Sequence, residues 1–340
     1  RTSEFLWQEG HTAHATQVEA LERTQMMLDI YARLAEEILA MPVIKGTKTA
    51  AERFPGAVDT LCIEAMMQDC KALQAGTSHF LGQNFARASQ IKFQSADEKE
   101  EYAWTTSWGA STRLIGGVIM THGDDDGVIM PPRAASAHVV LLPIFKKEDE
   151  RRAVMEYTEG LARELRRQSY HDRRLTVEID PRDIGGARGW DWIKKGIPLR
   201  VEIGAREVRE NTVFVGRRDK PHQERSALKR EAFAAEIAGI LDDIQNSLFA
   251  RAAAFRKEHC AEIDDRGEFY DYFTPRNIEK PEIHGGFAFS GWCGSAECEA
   301  KIKEDLTVTI RCIPFEDAGR QAACIACGRT GPRVVFAKAY

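Results

Sequence analysis

The sequence lacks any apolar run long enough to cross a lipid bilayer, and it also lacks a large excess of charge. A membrane-spanning helix needs about 20 consecutive apolar residues, whereas charged residues make up 29% of the 340 and interrupt the apolar stretches. The formal net charge of −5 argues against a protein that coats nucleic acid with its whole surface. We therefore predict a globular protein of two or three domains with no membrane partner.

Cysteine is also scarce, with eight residues in the chain, too few for a fold held together by disulfides. Four of them form two close pairs, Cys293-Gly-Ser-Ala-Glu-Cys298 and Cys324-Ile-Ala-Cys327. Each close pair supplies two corners of the tetrahedron of thiolates that zinc prefers. We predict a structural zinc site in which sulfur fills all four positions, with four reduced, metal-free cysteines as the alternative. The other cysteines stand alone in the sequence: Cys62, Cys70, Cys260 and Cys312.

The chain changes its pattern near residue 133. Apolar residues recur at helical spacing from Val18 to Leu39 and stop at Pro42, which predicts a helix. The loop from His122 to Arg133 contains three consecutive aspartates, two glycines and a double proline, and such a loop is typical of a domain boundary.

Beyond this loop, short apolar strands mixed with a helix predict an α/β unit. A long helix is expected at 224–259, with a potential interruption at Gly239, and a small cysteine-bearing α+β module from about Tyr270. The strands of the α/β unit are expected at 139–144, 175–179, 198–204 and 212–216, and its helix at 150–168.

Basic residues are concentrated between residues 182 and 218, where nine Arg and Lys side chains occur. This concentration is typical of a surface that contacts phosphates, and equally of an ordinary solvated face.

Two further groups of polar residues could suggest metal sites. His11 and His14 are three positions apart, so on a strand their side chains lie on opposite faces, and we expect only His11 to face inward. The loop Asp124–Asp126 offers three carboxylates but lacks the spaced ligands and the final Glu of an EF-hand. We expect a polar turn there and no calcium site.

Four stretches of the sequence resemble one enzyme family. The opening RTSEFLWQEGHTAHAT resembles motif 2 of the class II aminoacyl-tRNA synthetases, specifically of prolyl-tRNA synthetases of the archaeal and eukaryotic-like type. ALQAGTSHFLGQNF (72–85) resembles this family's Gln-x-Gly-Thr-Ser-His segment, and WTTSWGASTRLIGGVIMTHGDDDGVIMPPR (104–133) resembles its motif 3. GWDWIKKGIPLRVEIGARE (189–207) resembles the anticodon-binding domain shared with the histidyl, threonyl and glycyl enzymes, and the cysteine pairs match a zinc-binding C-terminal domain.

The resemblance implies a multidomain protein of mixed α+β and α/β class. We expect the C-terminal part of a class II catalytic domain, built on an antiparallel sheet, at 1–133. An α/β anticodon-binding domain is expected at 134–235 and a zinc-binding α+β domain at 236–340. Motif 1 would precede residue 1, so the chain is expected to be an N-terminally truncated piece of a longer, cytoplasmic, homodimeric protein.

The implied activity is proline–tRNA ligation, with ATP, L-proline and tRNA(Pro) as substrates. Because the proline carboxylate is already an anion, the site must supply positioning and positive charge and needs no general base for the first step. Arginine suits this role because its planar guanidinium binds phosphate through two hydrogen bonds. The resemblance assigns catalysis to Arg1 and Arg113. It assigns ATP contacts, with magnesium near Gln74, to Arg1, Thr2, Gln74, Thr77, Ser111 and Arg113.

The proline pocket should be small and largely apolar, with a polar group for the secondary ammonium. The resemblance assigns it to Trp7, Glu9, His11, His79, Trp108 and Gly109, with zinc on Cys293, Cys298, Cys324 and Cys327. Anticodon contacts are expected from Lys195, Arg200 and Arg206. Here the chain has Trp192-Ile-Lys-Lys-Gly196 in place of the family pattern Trp-Glu-Leu-Lys-Gly, so one expected carboxylate is missing.

Fewer than 100 residues separate the motif 2 and motif 3 segments, which leaves no room for the large editing domain of many bacterial prolyl enzymes. We therefore expect that the chain does not clear misformed alanyl-tRNA in cis, because a proline pocket cannot strongly exclude a smaller side chain. Two alternatives remain open at this point: a threonyl- or histidyl-tRNA synthetase, and a non-catalytic, tRNA-binding paralogue of a class II synthetase.

Overall fold

The structure, a computed structural model, describes residues 6–145, 147–182, 184–275 and 285–340. It divides into two compact units. The first contains the chain up to Glu36, Met41–Thr121 and Ala253–Tyr340, and the second contains Glu37–Ala40 and His122–Ala252. Within the described residues no helix is both long and apolar enough to span a membrane.

The N-terminal half of the first unit is mostly strands, with one long helix. That helix is capped by Thr16, whose hydroxyl accepts a hydrogen bond from the Glu19 amide while the Glu19 carboxylate accepts one from the Thr16 amide. This reciprocal pair satisfies two amides at the helix start. The elements are β1 (Trp7–His14), α1 (Gln17–Arg33), β2 (Val43–Thr47), β3 (Asp59–Met66), β4 (Ala72–Gly82), α2 (Asn84–Ala88), β5 (Lys92–Gln94), β6 (Glu100–Tyr102), β7 (Trp104–Ser111) and α3 (Arg113–His122), with a π-helical turn at Leu34–Ile38.

The second unit contains a five-stranded sheet. Its strand Val139–Pro143 is a continuous apolar run, as expected of a strand paired in parallel on both sides. The elements are β8 (Val139–Pro143), α4 (Glu148–Arg166), β9 (Ser169–Tyr170), β10 (Arg173–Arg174), β11 (Val177–Ile179), α5 (Ala187–Lys194), β12 (Leu199–Ile203), α6 (Ala205–Glu210), β13 (Thr212–Arg217) and β14 (Arg225–Lys229). The strand order is β11-β8-β12-β13-β14, with β11, β8 and β12 parallel and the last two pairs antiparallel.

Helix α7 (Arg230–Glu258) belongs to the second unit up to Ala252. The rest of the chain returns to the first unit and consists of β15 (Cys260–Glu262), α8 (Arg266–Phe273), β16 (Phe287–Gly291), α9 (Ala296–Leu306), β17 (Thr309–Pro314), β18 (Gln321–Ala323) and β19 (Thr330–Ala337). Its strands extend the sheet of the N-terminal half, because β17 pairs with β2. The resulting ten-stranded sheet has the order β1-β7-β4-β3-β2-β17-β19-β16-β15, with β18 on β19, and is antiparallel except between β15 and β16.

The predicted helix at 224–259 is wrong at its start. Residues Arg225–Lys229 form the edge strand β14, which pairs with β13, and the helix begins only at Arg230. Gly239 does not interrupt it, because a single glycine in a long helix costs only about 1 kcal/mol. The two compact units are a coarser division than the three predicted domains, whose boundaries at 133 and 235 stay predictions.

Candidate functional site

A cavity of about 440 Å³ lies on one face of strands β1, β7 and β4. The strand register places its side chains in rows. One row runs from Glu9 through Gly109 to Thr77. The next row runs from His11 through Ser107 to His79. Because side chains alternate along a strand, these residues face the same side of the sheet, and all six line the cavity.

Trp7 and Gly109 form an apolar wall of this cavity. A Cβ on Gly109 would lie 3.4 Å from the indole of Trp7, so the ring lies across the glycine. Trp108 also borders the cavity, but its indole fills the space above Gly10, where a Cβ would come within 2.3 Å of the ring. Gly10 lies between Glu9 and His11 and therefore faces the opposite side of the sheet, where helix α1 packs.

We expect Gly10→Ala to destabilise the protein. The new methyl group would displace the Trp108 indole, and overpacking of this kind costs about 1–3 kcal/mol. Gly116→Ala is the matched control, since no atom lies within 4 Å of a Cβ at this position in α3 and alanine favours the helix. Chemical denaturation of both variants is the measurement. An unfolding free energy of Gly10→Ala equal to that of Gly116→Ala would contradict the close packing of the Trp108 indole against Gly10.

His79 is buried and neutral. Its Nδ1 shares a hydrogen bond of 3.0 Å with the Thr60 hydroxyl and its Nε2 one of 3.1 Å with the Thr77 hydroxyl. The ring of Phe54 lies against it, with 4.7 Å between centroids. Burial lowers the pKa of His79 from 6.5 to about 4. The imidazole therefore offers the cavity a polar edge without a positive charge.

This burial predicts a pH dependence of stability. The unfolded chain takes up a proton at His79 below pH 6.5, whereas the folded chain does so only near pH 4, so stability is lost as the pH falls through this window. From the two pKa values we expect His79 to contribute a loss of about 2 kcal/mol between pH 7 and pH 5. Urea unfolding of the wild type and of His79→Gln at both pH values is the test. An equal loss in the two proteins would contradict the assignment.

The opposite end of the cavity carries a cation. Arg113 is the first residue of α3, and its amide donates a hydrogen bond of 3.3 Å to the Ser111 hydroxyl. The guanidinium is exposed, and its Nη1 lies 3.5 Å from the carbonyl oxygen of Gln74. Gln74, Ser111 and Arg113 all line the cavity. Arg1 and Thr2 lie outside the described residues.

Sequence reasoning missed part of this lining. Phe54 and Arg53 reach the cavity from the loop between β2 and β3, and Thr60 reaches it from β3. Arg53 donates a hydrogen bond of 2.6 Å to the Val58 carbonyl oxygen. The sequence Glu-Arg-Phe-Pro-Gly between two strands was the available signal, because an aromatic and a basic residue in a Pro-Gly turn are candidates for a binding loop.

The four predicted zinc ligands lie together. Their Sγ atoms are all within 4.8 Å of one another, and Cys293 lies 3.6 Å from both Cys298 and Cys327. Thiolates bound to zinc at about 2.3 Å would be about 3.8 Å apart, so the cluster fits this metal. Among the described residues this is the one group of three or more His, Cys, Asp or Glu side chains close enough to hold a metal ion.

Arg329, which the sequence did not single out, contacts this cluster. Its guanidinium donates hydrogen bonds of 3.5 Å to the sulfur atoms of Cys327 and Cys293. The contact lowers the pKa of the Cys327 thiol to about 6. The arginine therefore favours the thiolate form that a metal requires.

In the second unit, one of the three predicted anticodon residues, Arg200, lines the cavity described next. Arg200 is buried, and burial lowers its pKa to about 10. It borders a cavity of about 360 Å³ together with Arg225, Trp190 and His222. The rings of Trp190 and His222 are 4.8 Å apart. The sequence missed these three partners, although Trp190 lies in the stretch that carried the resemblance.

The other two predicted anticodon residues are placed differently. The Lys195 ammonium lies 4.4 Å from the centre of the Trp192 ring, and Arg206 donates to the Glu207 carboxylate at 3.1 Å. Neither lines the cavity of Arg200.

In the Asp124–Asp126 loop, the Asp124 carboxylate is an ion-pair partner of Arg218, and the backbone of Asp124 forms a tight turn with Gly127. This is the polar turn that was expected.

Comparison with known proteins identifies the family. Two family models match, one described as "Prolyl-tRNA synthetase, C-terminal" at residues 279–340 and one as "Anticodon binding domain" at residues 138–239. Proline–tRNA ligase 2 of Anaeromyxobacter dehalogenans is 53% identical over 346 residues, covering 100% of this chain and 68% of that protein. The chain belongs to the proline–tRNA ligase family. The ligase of Protochlamydia amoebophila is 50% identical, again over 100% of this chain and 68% of the relative.

Solved structures of the family share this fold. The crystal structure of prolyl-tRNA synthetase from Cryptosporidium parvum complexed with L-proline and AMP matches with a TM-score of 0.89 and 33% identity, covering 100% of this chain and 70% of that one. A second structure of the same enzyme, with halofuginone and AMPPNP, has a TM-score of 0.87. The predicted mixed fold, with a large antiparallel sheet and an anticodon-binding domain, is confirmed. The chain spans about two thirds of the length of its curated relatives.

Proposed function

We propose that the cavity on β1, β7 and β4 binds L-proline and ATP and forms prolyl-adenylate, the first step of proline–tRNA ligation. The observation that carries this proposal is the convergence of three separate segments on one cavity. A carboxylate and an indole come from β1, a neutral imidazole from β4, and an arginine from the start of α3. A non-catalytic, tRNA-binding paralogue would not need an amino-acid pocket beside a cation that can bind phosphate.

The proline end of the cavity is formed by Trp7, Glu9 and His79. The indole packs against the pyrrolidine ring, and the Glu9 carboxylate accepts a hydrogen bond from the secondary ammonium. His79 stays neutral at physiological pH because its pKa is about 4, so it does not repel this cation. His11 lies 3.4 Å from the Glu9 carboxylate and keeps it oriented. Gly109 has no side chain, so it leaves room for the substrate between the Trp7 indole and the His79 imidazole.

The nucleotide end is formed by Arg113, Ser111, Gln74 and Thr77. A carboxylate oxygen of proline attacks the α-phosphorus of ATP, and pyrophosphate leaves with the electrons of the broken P–O bond. Arg113 stabilises the negative charge that builds on the phosphates, and the arginine and threonine at positions 1 and 2 would add contacts from motif 2. Magnesium enters bound to the triphosphate, as part of this substrate.

The second step transfers the prolyl group to the terminal ribose hydroxyl of tRNA(Pro), releasing AMP. We propose that the cavity of Arg200 in the second unit contributes to anticodon recognition. Arginine and aromatic rings in one cavity suit an unpaired base, which stacks on rings and bonds to basic side chains. Lys195 and Arg206 would then contact phosphates outside this cavity.

Zinc is proposed at Cys293, Cys298, Cys324 and Cys327 as a structural metal. It would hold two distant turns together and would leave no coordination position for substrate. Arg329 would offset part of the negative charge of a zinc ion with four thiolates. We also propose a homodimer and a cytoplasmic location, and the family resemblance is the support for both.

Proline-dependent ATP–pyrophosphate exchange tests the proposed function. The protein at its full encoded length should exchange labelled pyrophosphate into ATP with proline, and much more slowly with threonine or histidine. Faster exchange with threonine or histidine would favour another class II synthetase. Binding of tRNA(Pro) with no exchange for any amino acid would favour the non-catalytic alternative.

A further inference from the structure

A buried group of three charges lies next to the candidate site. Glu64 of β3 is 0% exposed, and its carboxylate accepts a hydrogen bond of 2.7 Å from the Lys48 ammonium. Arg311 of β17 approaches the same carboxylate with Nε at 3.2 Å and Nη2 at 3.1 Å from one oxygen. Lys48 also donates to the Arg311 carbonyl oxygen at 2.7 Å. We call Lys48, Glu64 and Arg311 the buried triad.

Stability alone does not explain the buried triad. Burying a carboxylate, an ammonium and a guanidinium costs several kcal/mol of desolvation per ion, and apolar residues of similar volume are often as stable or more stable. The triad joins β3 of the N-terminal half to β17 of the C-terminal part within one unit. It therefore fixes the position of one segment against another.

The segment that the triad fixes leads into the cavity. Glu64 is paired with Gln74 across β3 and β4, and the register shifts by one residue at this point. A bulge of this kind changes the direction of side chains next to active sites. Gln74 lines the cavity, and its carbonyl oxygen is the group next to the Arg113 guanidinium. A second contact supports the same strand, because the Ala72 amide donates to the Lys338 carbonyl oxygen and the Tyr340 amide donates to that of Ala72.

We propose that Arg311 and Lys48 act through Glu64 as positioning residues for the nucleotide end of the cavity. This inference rests on the proposed function. The C-terminal part of the chain thereby takes part in ATP binding without touching ATP. The proline end is fixed by other contacts, from Thr60 and Phe54 to His79, so the effect should be specific for the nucleotide.

The test compares Arg311→Met with Arg333→Met in the protein at its full encoded length. Both arginines are 6% exposed, but Arg333 pairs with Glu262 and Asp264, inside the C-terminal part. Titration with the non-hydrolysable analogue AMPPNP should show affinity about 10- to 100-fold weaker in Arg311→Met, because small misplacements in a site have effects of this size. The affinity of Arg333→Met for AMPPNP should stay within about twofold of the wild type, because Arg333 does not contact the site.

Exchange kinetics separate this inference from the proposed function. In Arg311→Met the KM for ATP should rise by the factor expected for the loss of AMPPNP affinity, about 10- to 100-fold, while the KM for proline stays nearly constant. Arg311→Lys should recover part of the lost affinity for ATP. Glu64→Gln, which keeps the shape of the side chain, should reproduce the defect if Arg311→Met does not fold. Wild-type AMPPNP affinity in Glu64→Gln or Arg311→Met, or equal defects in Arg333→Met, would overturn the inference. Absence of exchange in the wild type would instead contradict the proposed function.

Discussion

Replacing Arg113 by alanine should lower the rate of proline-dependent ATP–pyrophosphate exchange by about a thousandfold, the effect typical of removing a cation that stabilises charge on a transferring phosphoryl group. The guanidinium is exposed at the start of α3, so its removal should leave the fold intact. The loss should appear mainly in kcat, because the negative charge increases in the transition state. Steady-state exchange at saturating proline is the measurement.

Two variants make this prediction specific. Arg113→Lys keeps the charge but loses the planar pair of donors, so it should recover only part of the rate. Arg87→Ala removes an exposed arginine of the same unit, whose guanidinium donates to the Gln83 side chain and does not line the cavity. It should have nearly wild-type activity. If Arg113→Ala retained more than about a tenth of the wild-type rate, a phosphate-stabilising role would be refuted.

The part of the candidate site that lies on one strand could be predicted from the sequence. The motif resemblance named Trp7, Glu9 and His11, and residues at this spacing of two lie on one face of a strand. Motif resemblance added Thr77, His79 and Arg113. Thr60 was missed because its position depends on how β3 pairs with β4, and pairing between distant strands leaves no local pattern in the sequence. Phe54 was missed although it lies in a loop with a Pro-Gly turn.

The same limit applies to the fold. Four of the five strands in the sheet of the second unit were predicted from short apolar runs. The fifth, β14, was predicted as helix because Arg225–Lys229 has no apolar alternation and forms a sheet edge. The extension of the large sheet by β17 depends on a few backbone hydrogen bonds to β2. The role of Arg311 follows from that pairing, so it could not be inferred from the sequence of β17 alone.

Replacing Cys324 by serine should abolish binding of the zinc proposed at the cysteine cluster and lower the thermal stability of the C-terminal part. Cys324 is buried in the core of this part of the chain, beside Trp292 and Ile325. Loss of one thiolate leaves three ligands and exposes the remaining sulfur atoms to oxidation. The unfolding free energy should fall by several kcal/mol, less than the about 10–16 kcal/mol that zinc contributes to isolated finger peptides, because this part of the chain also has its own apolar core.

Cys260→Ser is the matched control for this variant. Cys260 belongs to the same part of the chain but lies outside the cluster, so its replacement should leave the metal content unchanged. Elemental analysis should find one zinc per chain in the wild type and in Cys260→Ser, and little in Cys324→Ser. Because Cys324 shares an apolar core with Trp292, the thermal unfolding of the C-terminal part should shift in Cys324→Ser alone. Full zinc content in Cys324→Ser would show that the four sulfur atoms lie close together without being the ligands of the metal.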